Sequence, residues 1–98
     1  MTLSWRARRP IETPRADTIA DGIAARVPVP EALALMLEVV DEMLLVDEEQ
    51  IIAATRVLSA ALPSTVEPAA GAAWAAIAAA AGHEGPIGLL VTGGNVSP

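Results

Sequence analysis

The chain has 98 residues, 53% of them apolar, a formal net charge of −6 and no cysteine. That length is one small domain or part of a larger one, and disulfides, cysteine nucleophiles and thiolate metal sites are excluded. All six basic residues are arginine, so chemistry that needs a Schiff-base amine cannot be done by this chain alone.

The acidic balance argues against nucleic acid as a partner, since phosphate recognition needs clustered Lys and Arg. Much of the apolar content is alanine, with no Phe or Tyr and two Trp. Alanine buries little area, so the core is expected to be thin and to pack against a larger body.

Arg6, Arg8, Arg9 and Arg15 make the first fifteen residues basic, opposed by Glu12. "RRPIETPR" has no period, and residues 1–17 read as an extended, solvated connection rather than a phosphate-binding arm. No apolar region follows "RARR", so no signal peptide is expected. In "DTIADGIAARVPVP", Gly22 interrupts an apolar stretch, and Pro28 and Pro30 forbid a helix before position 30.

Pro30 opens "PEALALMLEVVDE", where Leu33, Met36, Leu37 and Val40 recur at helical spacing. "EMLLV" (42–46) reads as a short buried strand. Asp47-Glu48-Glu49-Gln50 has the capping-box pattern, with acids at the positive end of a helix. Ile51, Ala54, Leu58 and Leu62 line that helix, and Pro63 and Ser64 stop it. Pro68 and Glu67 start the next helix and Gly82 suits its exit. Its residues Ala70, Gly71, Ala73 and Ala76 form a face that admits another backbone or a flat ligand. The stretch from Ala69 to Gly82 is too short and too alanine-rich to span a bilayer, and a soluble, cytoplasmic chain with no membrane partner is expected. "HEGP" is a turn, "IGLLV" (87–91) a second buried strand and "TGGN" the loop leaving it.

Apolar strands between helices predict an α/β fold, with helices packed on a small, mostly parallel sheet. Two strands are too few for such a sheet. The others are expected from oligomerisation or from residues outside this chain.

Thr92-Gly93-Gly94-Asn95 offers a hydroxyl, bare amides and an amide side chain beyond a strand end, where open α/β sheets bind ligands. On its own it reads first as an ordinary glycine turn. It is not a Walker loop, having neither the lysine nor the spacing. "NVS" matches a glycosylation acceptor, but nothing marks secretion. Glu67 is locally a sufficient helix start. His83 reads as exposed and inert. The pairs Asp41/Glu42 and Glu48/Glu49 read as a solvated face and a helix cap. No metal site and no acid–base pair has supporting spacing.

The order of the segments says more than any one of them. "TIADGIA" (18–24), "VPVPEAL" (27–33), "VDEMLLVDEEQI" (40–51), "VEPAAGAA" (66–73) and "LLVTGGNV" (89–96) stand at the spacing found near the end of the catalytic domain of threonine dehydratases. The chain resembles this family and its serine dehydratase and serine racemase relatives, pyridoxal phosphate enzymes of the tryptophan synthase β type. The resemblance covers roughly residues 5–97.

The resemblance implies β-elimination from a small hydroxy amino acid, giving a 2-oxo acid and ammonia, with racemisation as the alternative within the family. It implies a homo-oligomer and residues 18–98 as the C-terminal part of the catalytic domain. The cofactor lysine and the glycine-rich phosphate loop belong to the N-terminal part. That part, or a partner subunit, is therefore expected to complete an otherwise inactive chain.

By the same resemblance Thr92 is the hydroxyl that hydrogen-bonds the pyridine nitrogen. A neutral hydroxyl does not hold that nitrogen protonated as a carboxylate does. Gly93 and Gly94 keep the loop clear of the ring and Asn95 braces it. Gly22 brings bare backbone to the cofactor, Glu67 stands beside the ring, and Ala70 and Gly71 give the helix a flat side. The stretch matching the racemase metal ligands is missing, so no metal is expected. A reading from another class is a non-catalytic helical module that docks on a partner through its alanine-rich face.

Overall fold

Helix starts in this chain are set by prolines and acids. In the computed structural model, which describes residues 1–80 and 82–93, α1 is Thr2–Ala7 and a 3₁₀ turn covers Asp21–Ile23. Helix α2 is Pro30–Val39, α3 is Glu48–Ala61 and α4 is Pro68–Ala79. Pro30 and Pro68 occupy first-turn positions, where the missing N–H costs nothing. At α3 both halves of the capping box are present. Asp47 Oδ1 accepts from Gln50 N at 2.8 Å, and Asp47 N donates to Gln50 Oε1 at 2.8 Å. Helix α4 ends short of Gly82, whose φ of 89° is left-handed and suits glycine.

The chain divides into two units, Met1–Asp17 with Ala24–Leu45, and Thr18–Ile23 with Val46–Pro98. In the first, α1 packs on α2, which corrects the reading of 1–17 as wholly extended. Ser4 is buried there, and its hydroxyl accepts from Ile11 N at 2.9 Å and donates to Ile11 O at 3.2 Å. That local side-chain bonding satisfies the backbone beyond α1, where the sequence offers no hydrophobic period. Thr13 N donates to Arg26 O at 3.0 Å, and Arg26 Nη1 donates to Thr13 O at 3.2 Å. Leu33 is the buried residue of α2.

The second unit is a pair of helices, α3 and α4, joined by residues 62–67. Ile51, Ala54 and Leu58 of α3 are buried, as are Ala70, Gly71, Ala72 and Ala75 of α4. Ala20, Ile51 and Ala72 form one core cluster, with Val46 against it. Leu58, Val66 and Ala70 form another, with Leu62 and Leu89 against it. A side-chain carbon at Gly71 would collide with Thr55 Oγ1 and lie 3.0 Å from both Ile51 O and Thr55 N. Thr55 Oγ1 is itself tied to Ile51 O at 2.7 Å. The buried small residues of α4, Ala70, Gly71, Ala72 and Ala75, are therefore on its side toward the α3–α4 contact. Ala70 and Gly71 of the expected small-residue face lie in that contact, whereas Ala73 and Ala76 are half-buried.

The expected α/β fold with a mostly parallel sheet is not what forms. The described residues contain no strand. "EMLLV" and "IGLLV" follow non-helical paths without a ladder, and a strand requires a partner for its N–H and C=O groups. Nor are these runs buried. Leu45 is 68% and Leu90 80% exposed, although Leu89 turns inward. No helix among the described residues is long and apolar enough to cross a membrane.

Gly71→Val is expected to destabilise the protein by roughly 3 kcal/mol, because the atoms in its way include backbone. The same change at exposed Ala79 is expected to stay within about 1 kcal/mol. Thermal unfolding of the two variants checks the difference. Asp47→Ala removes the side chain that accepts from Gln50 N and is expected to cost about 1 kcal/mol, read as a lower urea midpoint at unchanged slope.

Candidate functional site

Three stretches far apart in sequence meet at the N-terminus of α4. The first is the turn that carries Gly22. Ala20 is buried against Ile51 and Ala72, its N–H is held by Thr18 Oγ1 at 3.1 Å, and its carbonyl accepts from Ile23 N at 3.1 Å. Just before it, Ile19 N donates to Glu48 Oε2 at 3.1 Å. So anchored, Gly22 faces the start of α4. A side-chain carbon there would lie 3.4 Å from Ala69 Cβ and 3.8 Å from each carboxylate oxygen of Glu67.

The second stretch supplies Glu67. It is the N-cap residue of α4 but caps nothing with its side chain. Its carbonyl accepts from Ala70 N at 3.1 Å and Gly71 N at 3.3 Å, so the carboxylate is free to point elsewhere. Buried Val66 and the neighbouring Pro68 fix it in place.

The third is the closing segment. Leu89 packs on the Leu58–Val66–Ala70 cluster and delivers Thr92 to Glu67. Thr92 Oγ1 donates to Glu67 Oε1 at 2.5 Å. Gly93 follows, where a side-chain carbon would lie 2.8 Å from the Thr65 carbonyl oxygen. A groove of about 500 Å³, lined by residues 62–65 and 91–93, runs beside them.

Four of the six residues expected at the site, Gly22, Glu67, Thr92 and Gly93, thus lie around the start of α4. Gly94 and Asn95 fall outside the described residues. Glu48 and Thr65 were not singled out for this region. Glu48 stands in an acidic pair that reads as a cap, and Thr65 acts through its carbonyl, which no sequence pattern marks. His83 is exposed, and no three acidic or histidine side chains gather to hold a metal ion among the described residues.

A family model described as pyridoxal-phosphate dependent enzyme matches residues 1–93. The chain belongs to this family. Searches of curated proteins and of solved structures return no significant match.

A pyridoxal-phosphate dependent enzyme must meet the ring nitrogen, the phosphate and the reactive carbon of its cofactor. The described residues offer groups toward the first alone. Thr92 presents an exposed hydroxyl, and Gly22 presents backbone without a side chain. They do not fit the other two. The α3–α4 unit has Arg56 as its one arginine, and the chain has no lysine.

Gly93→Ala is expected to push the Thr65 carbonyl away and cost about 1–3 kcal/mol. The checks are a lower melting temperature and shifted NMR resonances for residues 64–67, with those of 2–11 unchanged.

Proposed function

We propose that this chain forms the ring-nitrogen wall of the cofactor site in a pyridoxal phosphate-dependent threonine/serine dehydratase. The observation that carries the reading is the meeting of Gly22, Glu67 and Thr92. Each comes from a different one of the five ordered motifs on which the resemblance to dehydratases rests. In this reading residues 18–98 are the C-terminal part of the catalytic domain. A lysine-bearing part of the domain, or a partner subunit, holds the phosphate and the reactive carbon.

The cofactor, when bound, supplies the sink for electrons released from the substrate α-carbon. The chain's own residues hold and orient. Thr92 Oγ1 would meet the ring nitrogen, Glu67 would hold that hydroxyl in place, and Gly22 would leave room for the ring. The substrate is a small β-hydroxy amino acid, and the products are a 2-oxo acid and ammonia.

The full chain mixed with pyridoxal phosphate and threonine is expected to release no 2-oxobutanoate. Adding the lysine-bearing N-terminal part of a threonine dehydratase catalytic domain, itself inactive, is expected to restore release. Thr92→Val is expected to lower the restored rate about 10-fold or more, and Thr92→Ser to keep most of it. A complemented mixture that binds the cofactor yet forms neither 2-oxo acid nor the D-amino acid would count against the reading. The D-amino acid alone would assign a racemase.

A further inference from the structure

Residues 18–23 lie against the α3–α4 pair with little to hold them. Ala20 alone among them is buried, and it packs with Ile51 and Ala72. A methyl group removes little area from water. The two large apolar side chains of the turn, Ile19 and Ile23, are exposed. The bonds from Ala20 N to Thr18 Oγ1 and from Ile23 N to Ala20 O shape the turn but tie it to nothing else. Among the described residues, one hydrogen bond reaches from the turn to a helix, from Ile19 N to Glu48 Oε2 at 3.1 Å. The start of α3 is already capped by the Asp47–Gln50 pair, which leaves the Glu48 side chain for a partner outside the helix.

We infer that residues 18–23 form a strap that docks on the start of α4 and releases from it as a unit, and that Glu48 is the positioning residue that keeps it closed. Segments with few buried contacts open at low cost, independently of the core beneath them. The flanking residues Asp17 and Ala24 belong to the other unit, so no helix of the α3–α4 unit continues into the strap. With the strap closed, Gly22 stands against Ala69 and Glu67, both half-buried. With the strap open, both face solvent on that side. Glu48 thereby sets one wall of the region around Glu67 and Thr92 through Ile19, and it would do so whatever that region binds.

The test is amide hydrogen exchange and methyl NMR on the full chain, with no ligand added. Glu48→Ala removes the acceptor of Ile19 N, so that amide is set aside. The amides of Ala20 and Ile23 keep their own acceptors and report on the strap as a whole. Glu48→Ala is expected to speed their exchange about 10-fold and to weaken the cross-peaks between the methyl groups of Ala20 and Ala72. The amides of Leu58 and Ala75, inside the helix pair, are expected to be unchanged. Glu48→Gln keeps a side-chain oxygen as acceptor and is expected to stay within about 3-fold of the original chain. Glu49→Ala removes the other acid of the same helical turn and is expected to leave the strap closed. Exchange at Ala20 and Ile23 that is no faster in Glu48→Ala overturns the proposal. Equal loosening by Glu49→Ala also overturns it, by assigning the effect to charge at the start of α3. A Glu48→Gln variant as loose as Glu48→Ala removes the hydrogen bond as the cause and overturns it too. So does equal acceleration at Leu58 and Ala75, which would mean that the helix pair itself opens.

Discussion

The closeness of α3 and α4 at Gly71 governs the rest of the α3–α4 unit. With no side chain at that position, the Ile51 carbonyl and Thr55 come within contact distance of the α4 backbone. Thr55 folds its hydroxyl onto Ile51 O, so it presents a short, satisfied surface to the approaching helix. Alanines at 70, 72 and 75 extend the same contact. The start of α4 is thereby fixed relative to α3, and the site is assembled around that start. Ala20 wedges against Ile51 and Ala72 and carries Gly22. Leu89 lies on Leu58, Val66 and Ala70 and carries Thr92. Glu67 stands between them because it is the residue from which α4 begins.

The helices were legible because their signals are local. Pro30, Pro68 and the Asp47–Gln50 pair act within one turn, and each marks its helix start. The face Ile51–Ala54–Leu58 follows from spacing alone and is buried as expected. The sheet was misread because a strand is a property of two segments. Apolar runs at 42–46 and 87–91 give the composition of buried strands but do not supply a partner. Helix α1 escaped notice because Ser4 holds it through a hydroxyl bonded to Ile11 rather than through a periodic face.

The site was legible as an order of motifs, not as a geometry. Nothing local in "ADGIA" or "VEPAAGAA" says that Gly22 faces the Glu67 carboxylate. The small residues of α4 fit either a flat ligand or another helix by sequence, and Gly71 lies in the contact with α3. Glycine at 93 is likewise explained from within. It makes room for the Thr65 carbonyl, whatever else passes on the far side of the loop. Of the chemistry the family performs, this chain holds a hydroxyl, a carboxylate and bare backbone, but neither a lysine nor a dense cationic cluster in that unit.

The contact at Gly93 also limits how this segment can change over time. Its neighbour is a main-chain oxygen, which every amino acid at position 65 would present in the same way. A larger residue at 93 therefore has no compensating side-chain exchange at 65. Relief has to come from the path of the backbone, either in the 62–66 connection or in the closing segment itself. Because the 62–66 connection leads directly into Glu67, repairs there would move the carboxylate as well. Positions 93 and 67 are thus linked through the main chain at Thr65, with no side chain joining them.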